Sequence, residues 1–292
     1  MSIEYSIIIP CYNEGNTIVD VITELREYLN EYLKGQYEIL VVDDGSTDDT
    51  RERLAQLSGI RVIRHHLNRG YGASIKTGLR QAAGSFVATF DGDGQHYPED
   101  LVKLLQKIKS EELALVVGAR SKLFHSNLWR MPGKWLLTWL ANYLSKTKIP
   151  DLNSGLRVFN KEIISRYLHL CPDRFSFSTT STLVFLNRGY PLAFVPIGIK
   201  KRHGKSTVSL MTGYETLLLI LRLICLFEPL RIFIPASMIL VFIGTMLGIY
   251  PFFILKRGLT TGSVLVILAG ILVFFFGLLA DQISSLRKEK YE

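Results

Sequence analysis

Two long apolar stretches near the end of the sequence limit what this chain can fold into. Residues 232–255 and 258–280 contain no Asp, Glu, Lys or Arg, and only Lys256 and Arg257 separate them. A helix rises about 1.5 Å per residue, so either stretch is long enough to cross the roughly 30 Å hydrocarbon layer of a membrane. We therefore predict two transmembrane helices, at about 232–255 and 259–280, rather than buried helices of a soluble core.

The sequence before residue 206 has the pattern of a soluble domain in which strands and helices alternate. Short runs rich in Ile, Val and Phe predict strands, and the segments between them carry apolar residues at helical spacing. The predicted strands are residues 5–10, 38–42, 61–64, 86–90, 114–117 and 192–199. The predicted helices are residues 17–33, 47–57, 73–83 and 99–109, with Ser46 and Asp49 as a capping box for the second. This alternation predicts an α/β fold with a mostly parallel sheet.

Polar clusters follow three of the predicted strands. They are residues 10–14 (PCYNE), 43–46 (DDGS) and 91–93 (DGD). In an open parallel sheet the ends of the strands meet at one edge, where ligands bind. An isolated Asp-Gly-Asp is an ordinary acidic turn, but a second acidic turn on the same edge favours a metal site. Carboxylate oxygens suit Mg²⁺ or Mn²⁺ bridged to a diphosphate.

Five motifs occur in a fixed order along this domain. They are SIIIPCYNE (6–14), VVDDGSTDDT (41–50), NRGYG (68–72), DGDGQH (91–96) and DLNSGLR (151–157). This series resembles that of the family 2 glycosyltransferases. Within that family it is most similar to the dolichyl-phosphate or polyprenyl-phosphate sugar transferases, which RHGKS at 202–206 supports. The resemblance covers about residues 5 to 206 and implies a Rossmann-like GT-A fold, inversion at the sugar's anomeric carbon, and Mg²⁺ or Mn²⁺ as cofactor.

The resemblance also assigns residues to the two substrates. For the nucleotide sugar it implies Pro10, Tyr12, Glu14, Asp43, Asp44, Lys76, Asp91, Gly92 and Asp93, and for the metal Asp91, Asp93 and Gln95. For the phosphate of a lipid acceptor it implies Arg120, Arg130, Ser154, Arg157, Arg202 and Lys205. The candidate catalytic residues are Asp93, Arg120, Arg130, Arg157, Arg202 and Asp151.

The role of two further side chains stays open at this point. Asp151 is either a general base or a group that orients an arginine or lysine. His96 follows the acidic turn and could equally be exposed to solvent. An acceptor phosphate has a second pKa near 6 and is largely ionised at neutral pH, so a base is dispensable. Arginine forks and a metal ion are what this reaction needs, because they offset the charge of the acceptor and of the departing diphosphate.

The domain plan follows from these segments. We expect a cytoplasmic GT-A catalytic domain at 1–206, juxtamembrane amphipathic helices at 207–230, two transmembrane helices within 231–286, and a cytoplasmic tail at 287–292. Residues 210–226 contain Glu215 and Arg222 and therefore predict a helix on the membrane surface rather than a third span. The N-terminus has no signal-peptide pattern, and the basic residues of the tail agree with the positive-inside bias, although Lys256 and Arg257 do not.

Charge and small residues indicate the partners. The formal net charge is +8, and residues 113–150 contain basic side chains but no Asp or Glu. With tryptophans interleaved and apolar spans following, this block favours an anionic membrane face over nucleic acid. Gly244, Gly248, Gly270 and Gly277 lie in the predicted spans and suggest packing between protomers of a homo-oligomer.

Two rival functions remain at the level of sequence. One is a processive polysaccharide synthase of the same fold, although the Gln-x-x-Arg-Trp segment typical of those enzymes is absent. The other is a membrane scaffold without catalytic activity. GDP-mannose and UDP-glucose are the leading donors, and UDP-N-acetylhexosamine remains open.

Overall fold

The computed structural model of the chain describes residues 3–120, 149–174, 176–200, 228–249 and 258–289. The chain divides into two compact units, Met1–Val208 and Ser209–Glu292. The strands of the first unit are β1 (Tyr5–Cys11), β2 (Tyr37–Asp43), β3 (Arg61–Arg64), β4 (Phe86–Thr89), β5 (Leu115–Arg120), β6 (Arg157–Asn160) and β7 (Leu192–Ile197). Its helices are α1 (Ile18–Leu33), α2 (Thr50–Ala55), α3 (Tyr71–Gln81), α4 (Pro98–Ser110), α5 (Lys161–Tyr167) and α6 (Phe177–Asn187).

The strands form one seven-stranded sheet in the order β3-β2-β1-β4-β6-β5-β7. The pairs β1–β2, β1–β4, β2–β3 and β5–β7 are parallel, whereas β6 runs antiparallel to both β4 and β5. The prediction of an α/β fold with a mostly parallel sheet is therefore confirmed. Strand β6 was not among the predicted strands.

The core of this unit lies where helices cover the central strands. Every residue of β1 is buried, as expected for a central parallel strand with both faces covered. Helix α1 buries Ile18, Val21, Ile22, Leu25 and Leu29, which repeat at helical spacing along one face. Helix α4 begins with Pro98, carries acidic residues in its first turn and lysines in its last, and so complements its own dipole.

The capping box predicted for the second helix is wrong. Helix α2 begins at Thr50, and its N-cap residue Asp49 makes no side-chain hydrogen bond to the helix. The hydroxyl of Ser46 instead accepts a hydrogen bond from the backbone N–H of Asn13, at 3.0 Å. Ser46 thus joins two loops at the edge of the sheet, and the helix is shorter than its apolar spacing predicted.

The second unit contains the helices α7 (Leu230–Ile249) and α8 (Thr261–Glu289). Leu230–Ile249 and Thr261–Leu286 have mean hydropathies of 2.3 and 2.8 and are long enough to cross a membrane. Both segments overlap the predicted spans. The predicted surface helix at 210–226 lies outside the described residues.

Glycines allow α7 and α8 to approach each other closely. A Cβ atom on Gly244 would lie 2.7 Å from a side-chain carbon of Ile267, and one on Gly270 would lie 2.7 Å from a side-chain carbon of Val241. A Cβ atom on Gly277 would lie 2.5 Å from Phe233 of α7, and one on Gly248 would lie 2.7 Å from Leu259, just before α8. In this structure the glycines pack within the hairpin of a single chain, and packing between protomers remains a prediction.

Candidate active site

The loops after β1 and β2 are joined at the edge of the sheet where these parallel strands end. The side chain of Asn13 accepts a hydrogen bond from the backbone N–H of Thr47 at 2.8 Å, and the backbone N–H of Glu14 donates to the hydroxyl of Thr50 at 3.0 Å. Asn13 has a φ of 57°, in the left-handed region that asparagine tolerates. These contacts bring together the loops that carry the residues predicted to bind the nucleoside.

The residues predicted to bind the nucleoside differ in their exposure to solvent. Tyr12 is 43 % exposed, whereas Pro10 lies within the buried strand β1. Asp43 is 1 % exposed and accepts a hydrogen bond from the backbone N–H of Ser46 at 2.8 Å, with the guanidinium of Arg64 3.4 Å from its other oxygen. The ring of Tyr12 is therefore available to a ligand, and the carboxylate of Asp43 shapes the turn beside it.

Asp44 organises the loop that leads into α3. One of its oxygens accepts from the backbone N–H of Arg69 at 3.0 Å and lies 2.7 Å from Nδ1 of His65. The other accepts from the backbone N–H of Gly70 at 2.8 Å. Asp44 is 4 % exposed, so its contacts in this structure are with the protein itself rather than with a nucleotide sugar.

Lys76 and Gly92 also have partners within the domain. Lys76 lies on α3 with 9 % exposure, and its ammonium donates to the carboxylate of Asp173 at 2.7 Å. The carbonyl of Gly92 accepts from the hydroxyl of Thr17 at 3.2 Å. Their assignment to the nucleotide sugar remains a prediction.

Asp91, at the end of β4, is held on several sides. Its Oδ1 accepts a hydrogen bond from the hydroxyl of Tyr71 at 2.9 Å, and its Oδ2 lies 3.2 Å from Nε2 of His96. Burial alone would raise the pKa of Asp91. The contacts with His96 and Tyr71, together with the charge of Arg120, outweigh burial and hold this pKa below its usual value. Asp91 is therefore a fixed and ionised carboxylate.

His96 is 5 % exposed, which excludes the expectation that it is a solvent-exposed turn residue. Its ring packs edge-on against Phe90 with a centroid distance of 5.7 Å. Nδ1 of His96 is buried and has no hydrogen-bond partner among the described residues. His96 is therefore a buried side chain whose Nε2 contacts the carboxylate of Asp91.

The turn that follows Asp91 carries the other two predicted metal ligands. Oδ1 of Asp93 accepts from the backbone N–H of Gln95 at 3.2 Å, and the carbonyl of Gln95 accepts from the backbone N–H of Lys200 at 2.9 Å. Among the described residues, no group of three or more His, Cys, Asp or Glu side chains is arranged to hold a metal ion. Two carboxylates fit Mg²⁺ or Mn²⁺ when a diphosphate supplies the remaining oxygen ligands.

Arg120 and Asp151 form a paired fork at the end of β5. Nε of Arg120 donates to Oδ2 of Asp151 at 2.6 Å, and Nη2 donates to Oδ1 at 2.9 Å. The side chain of Arg120 is 36 % exposed and that of Asp151 is 12 % exposed. Burial would raise the pKa of Asp151, but the hydrogen bonds and charge of Arg120 lower it below its usual value. Arg120 is also close enough to Asp91 for the Asp91 charge to raise the pKa of Arg120.

Arg157 and Ser154 are both buried, and their assignment to the acceptor phosphate remains a prediction. Arg157 is 1 % exposed, and its guanidinium donates to the carbonyls of Ser154 and Leu152, at 2.7 and 2.8 Å, and to the hydroxyl of Thr182. Burial lowers its pKa to about 10. Ser154 is 0 % exposed. In this structure Arg157 holds the DLNSGLR loop against α6.

Arg130, Arg202 and Lys205 lie outside the described residues, so their assignment remains a prediction. Sequence reasoning gave no role to Tyr71 or Gly155, although both lie in the recognised motifs and both contact Asp91. Their position inside ordered motifs was the available signal. Only the fold brings α3, the acidic turn and the DLNSGLR loop to one carboxylate.

A mostly parallel sheet with an acidic turn and an arginine fork at one edge is the architecture of the GT-A nucleotide-sugar transferases. A family model described as Glycosyl transferase family 2 matches residues 6–168, and one described as GtrB C-terminal hairpin matches residues 228–286. The chain belongs to glycosyl transferase family 2.

Curated relatives support the more specific resemblance to the polyprenyl-phosphate sugar transferases. A dodecaprenyl-phosphate galacturonate synthase of Rhizobium johnstonii is 27 % identical over 170 residues, covering 56 % of this chain and 50 % of that protein. A UDP-N-acetylglucosamine--dolichyl-phosphate N-acetylglucosaminyltransferase of Methanococcus voltae is 30 % identical over 181 residues, covering 54 % of this chain and 70 % of that protein. An uncharacterized protein of Methanocaldococcus jannaschii is 31 % identical over 202 residues, covering 66 % and 80 %. The match thus spans half the length of the Rhizobium protein.

Solved structures support the fold. Glucosyl-3-phosphoglycerate synthase from Mycobacterium tuberculosis, in complex with Mn²⁺, UDP and phosphoglyceric acid, has a TM-score of 0.59 and 21 % identity, covering 76 % of this chain and 77 % of that chain. The same enzyme with Mg²⁺ and UDP has a TM-score of 0.58 and 22 % identity, covering 74 % and 79 %. These neighbours were crystallised with a divalent metal and a nucleotide, and at this identity they establish the GT-A-like fold alone.

Proposed function

We propose that the protein transfers a sugar from a nucleotide-diphosphate sugar to a polyprenyl or dolichyl phosphate, with inversion at the anomeric carbon. The observation that carries this proposal is the position of Asp91 and Arg120 at the ends of β4 and β5, which both run antiparallel to β6 and therefore end at the same edge of the sheet. A group suited to an acceptor phosphate therefore lies beside a group suited to a metal-bound diphosphate.

Different residues would bind the nucleoside, the metal ion and the acceptor phosphate. The loops after β1 and β2, with Tyr12 exposed between them, would hold the nucleoside. Asp91 and Asp93 would hold Mg²⁺ or Mn²⁺, which would offset the charge that develops on the leaving diphosphate. Arg120 would hold the acceptor phosphate in line with the anomeric carbon. Arg130, Arg202 and Lys205 are the further candidates for that phosphate.

The transfer needs no proton to be removed. An oxygen of the ionised acceptor phosphate supplies the electron pair for the new bond to the anomeric carbon, and the bond to the diphosphate breaks as the nucleoside diphosphate leaves. Attack on the face opposite the leaving group inverts the configuration. The guanidinium of Arg120 would relieve the repulsion between the two anionic groups during this step.

The apolar hairpin supports a lipid acceptor. Helices α7 and α8 expose large apolar side chains such as Met238, Phe242, Leu272 and Phe276, as helices in contact with lipid do. We propose a multi-pass protein of the cell membrane, with catalytic domain 1–206, juxtamembrane segment 207–230, hairpin 231–286 and tail 287–292, and with the domain and tail on the cytoplasmic side. The names of the two curated transferases support a polyprenyl-type acceptor.

The test is transfer by the full chain in liposomes that contain a polyprenyl phosphate. GDP-mannose, UDP-glucose, UDP-N-acetylglucosamine and UDP-galacturonic acid, each labelled in the sugar, would be supplied with Mg²⁺ or Mn²⁺. We expect one labelled lipid-phosphate sugar, no product after chelation, and a loss of several orders of magnitude in Asp93→Asn. Asp20→Asn, on the exposed side of α1, is the matched control. Polymer as the product would identify a processive synthase, and no product from any donor would favour a scaffold.

A further inference from the structure

The carboxylate of Asp151 is surrounded by hydrogen-bond donors. Its Oδ2 accepts from Nε of Arg120 at 2.6 Å and from the backbone N–H of the same residue at 3.3 Å. Its Oδ1 accepts from Nη2 of Arg120 at 2.9 Å and from the backbone N–H of Asn153 at 3.0 Å. Each oxygen thus has two donors, which is the full acceptor capacity of an ionised carboxylate.

This arrangement leaves Asp151 no lone pair with which to remove a proton from a substrate. Its lowered pKa has the same consequence, because a carboxylate stabilised by several donors is a weaker base. A general base also needs to reach the proton it abstracts, at hydrogen-bond distance. Here the positions at that distance are taken by Arg120 and Asn153.

The pair also fixes the direction of Arg120. Arginine presents its N–H groups as a planar fork, and Asp151 takes the edge formed by Nε and Nη2. No described residue hydrogen-bonds to Nη1. The edge formed by Nη1 and Nη2 is the one left to bind an anion in a bidentate manner.

We propose that Asp151 is a positioning residue that orients Arg120 toward the acceptor phosphate, and that it does not act as a general base. This inference rests on the proposed function and decides the role of Asp151 that the sequence leaves open. An orienting carboxylate reduces the number of side-chain conformations that Arg120 loses when the phosphate binds. Its removal should therefore weaken acceptor binding more than donor binding.

A double-mutant cycle on the full chain in liposomes tests this role. Asp151→Asn keeps the shape of the side chain but turns one acceptor into a donor that faces the guanidinium. Arg120→Lys keeps the charge but loses the fork. We expect Asp151→Asn alone to raise the KM for polyprenyl phosphate about 10- to 100-fold and to leave the donor KM nearly unchanged. In the Arg120→Lys background the same change should have an effect of about twofold or less.

The shape of the pH profile of kcat/KM supplies the second readout. A positioning role predicts the same apparent pKa values in Asp151→Asn as in the unmodified protein, whereas loss of a base removes one of them. Glu162→Gln, which breaks an arginine–carboxylate pair on α5, is the matched control. Additive effects in the cycle, or an ionisation missing from the variant, would overturn the inference. If Asp151→Asn melts early, its pH profile measured below the melting temperature decides, because a positioning role leaves the apparent pKa values unchanged there.

Failure of the proposed function gives a different result. In that case the unmodified protein forms no lipid-linked sugar from any donor of the panel, and the inference falls with it. A transferase whose Asp151→Asn variant has a normal acceptor KM retains the proposed function and contradicts only the inference.

Discussion

A Cβ atom added to Gly155 would lie 2.0 Å from Oδ2 of Asp91. The glycine of the DLNSGLR loop thus touches the first carboxylate of the acidic turn. No side chain fits between them, because real Cβ contacts are far longer. Gly155 allows the loop to approach Asp91 nearest its Oδ2, whereas the hydroxyl of Tyr71 donates to Oδ1.

Gly155→Ala should displace Asp91 and lower turnover by about 100-fold or more. Overpacking of this kind costs about 1–3 kcal/mol of stability, which a domain of this size usually tolerates. The measurement is kcat together with a thermal melt. Ser154→Ala, in the same loop, removes a buried hydroxyl that has no partner among the described residues and should change turnover little. Equal turnover in the two variants would contradict the importance of this contact.

Tyr71→Phe should weaken the binding of Mn²⁺ in the presence of a nucleoside diphosphate about tenfold, since the hydroxyl that orients Asp91 is lost. Electron paramagnetic resonance of free Mn²⁺ measures this directly, with UDP and GDP tried in turn. Burial and the charge of Asp91 raise the pKa of Tyr71 well above 10, so the hydroxyl stays protonated and the effect should be the same from pH 6 to about pH 9.

Tyr190→Phe is the matched control for Tyr71. The hydroxyl of Tyr190 lies 3.2 Å from that of Tyr167, and neither belongs to the site. Unchanged Mn²⁺ binding is expected in this variant. If Tyr71→Phe binds Mn²⁺ as tightly as Tyr190→Phe does, the hydroxyl of Tyr71 does not position Asp91.

Arg157→Met should destabilise the catalytic domain by about 2–5 kcal/mol, because two buried carbonyls lose their charged donor. We expect the melting temperature of this variant, measured in detergent, to fall strongly. At temperatures where the variant remains folded, its KM for polyprenyl phosphate should be nearly normal. A selective rise in that KM without loss of stability would place Arg157 in the acceptor site.

Gly270→Leu should disrupt the apolar hairpin, since even a Cβ atom at this position would lie 3.0 Å from the carbonyl oxygen of Ser237 on the facing helix. We expect a lower resistance to unfolding by sodium dodecyl sulfate, with normal insertion into the membrane. Gly262→Leu, also on α8, has nothing within 4 Å of its added Cβ atom and should behave like the unmodified protein. Equal behaviour of both variants would show that the close approach is not needed.

The strands that form short apolar runs could be predicted from the sequence. Strand β3 has the bounds that its sequence predicted, and β1 differs by one residue at its end. Strand β6 (Arg157–Asn160) was not predicted, although it is as long as β3. Its pairing with β4 and β5 is a contact between distant segments, which no window of sequence contains.

The site shows the same division between local and distant information. The acidic turn follows directly from Asp91 and Asp93 in sequence. The arginines are different, because a motif does not reveal whether an arginine is buried. Arg120 ends a strand and reaches the surface, whereas Arg157 begins one and is enclosed by α6 and its own loop. From charge alone, both arginines were predicted to bind the acceptor phosphate. Their different burial became visible only in the structure.

The reversed direction of β6 has a consequence for variation among related sequences. Since β5 ends and β6 begins at the same edge of the sheet, the connection between them leaves from that edge and returns to it, and the Arg120–Asp151 pair ties its two ends together. Lengthening a connection whose ends are already joined costs little free energy, about 0.6 kcal/mol for each doubling. A change in the length of the chain between Arg120 and Asp151 should therefore leave the pairing of β5 with β6 in place.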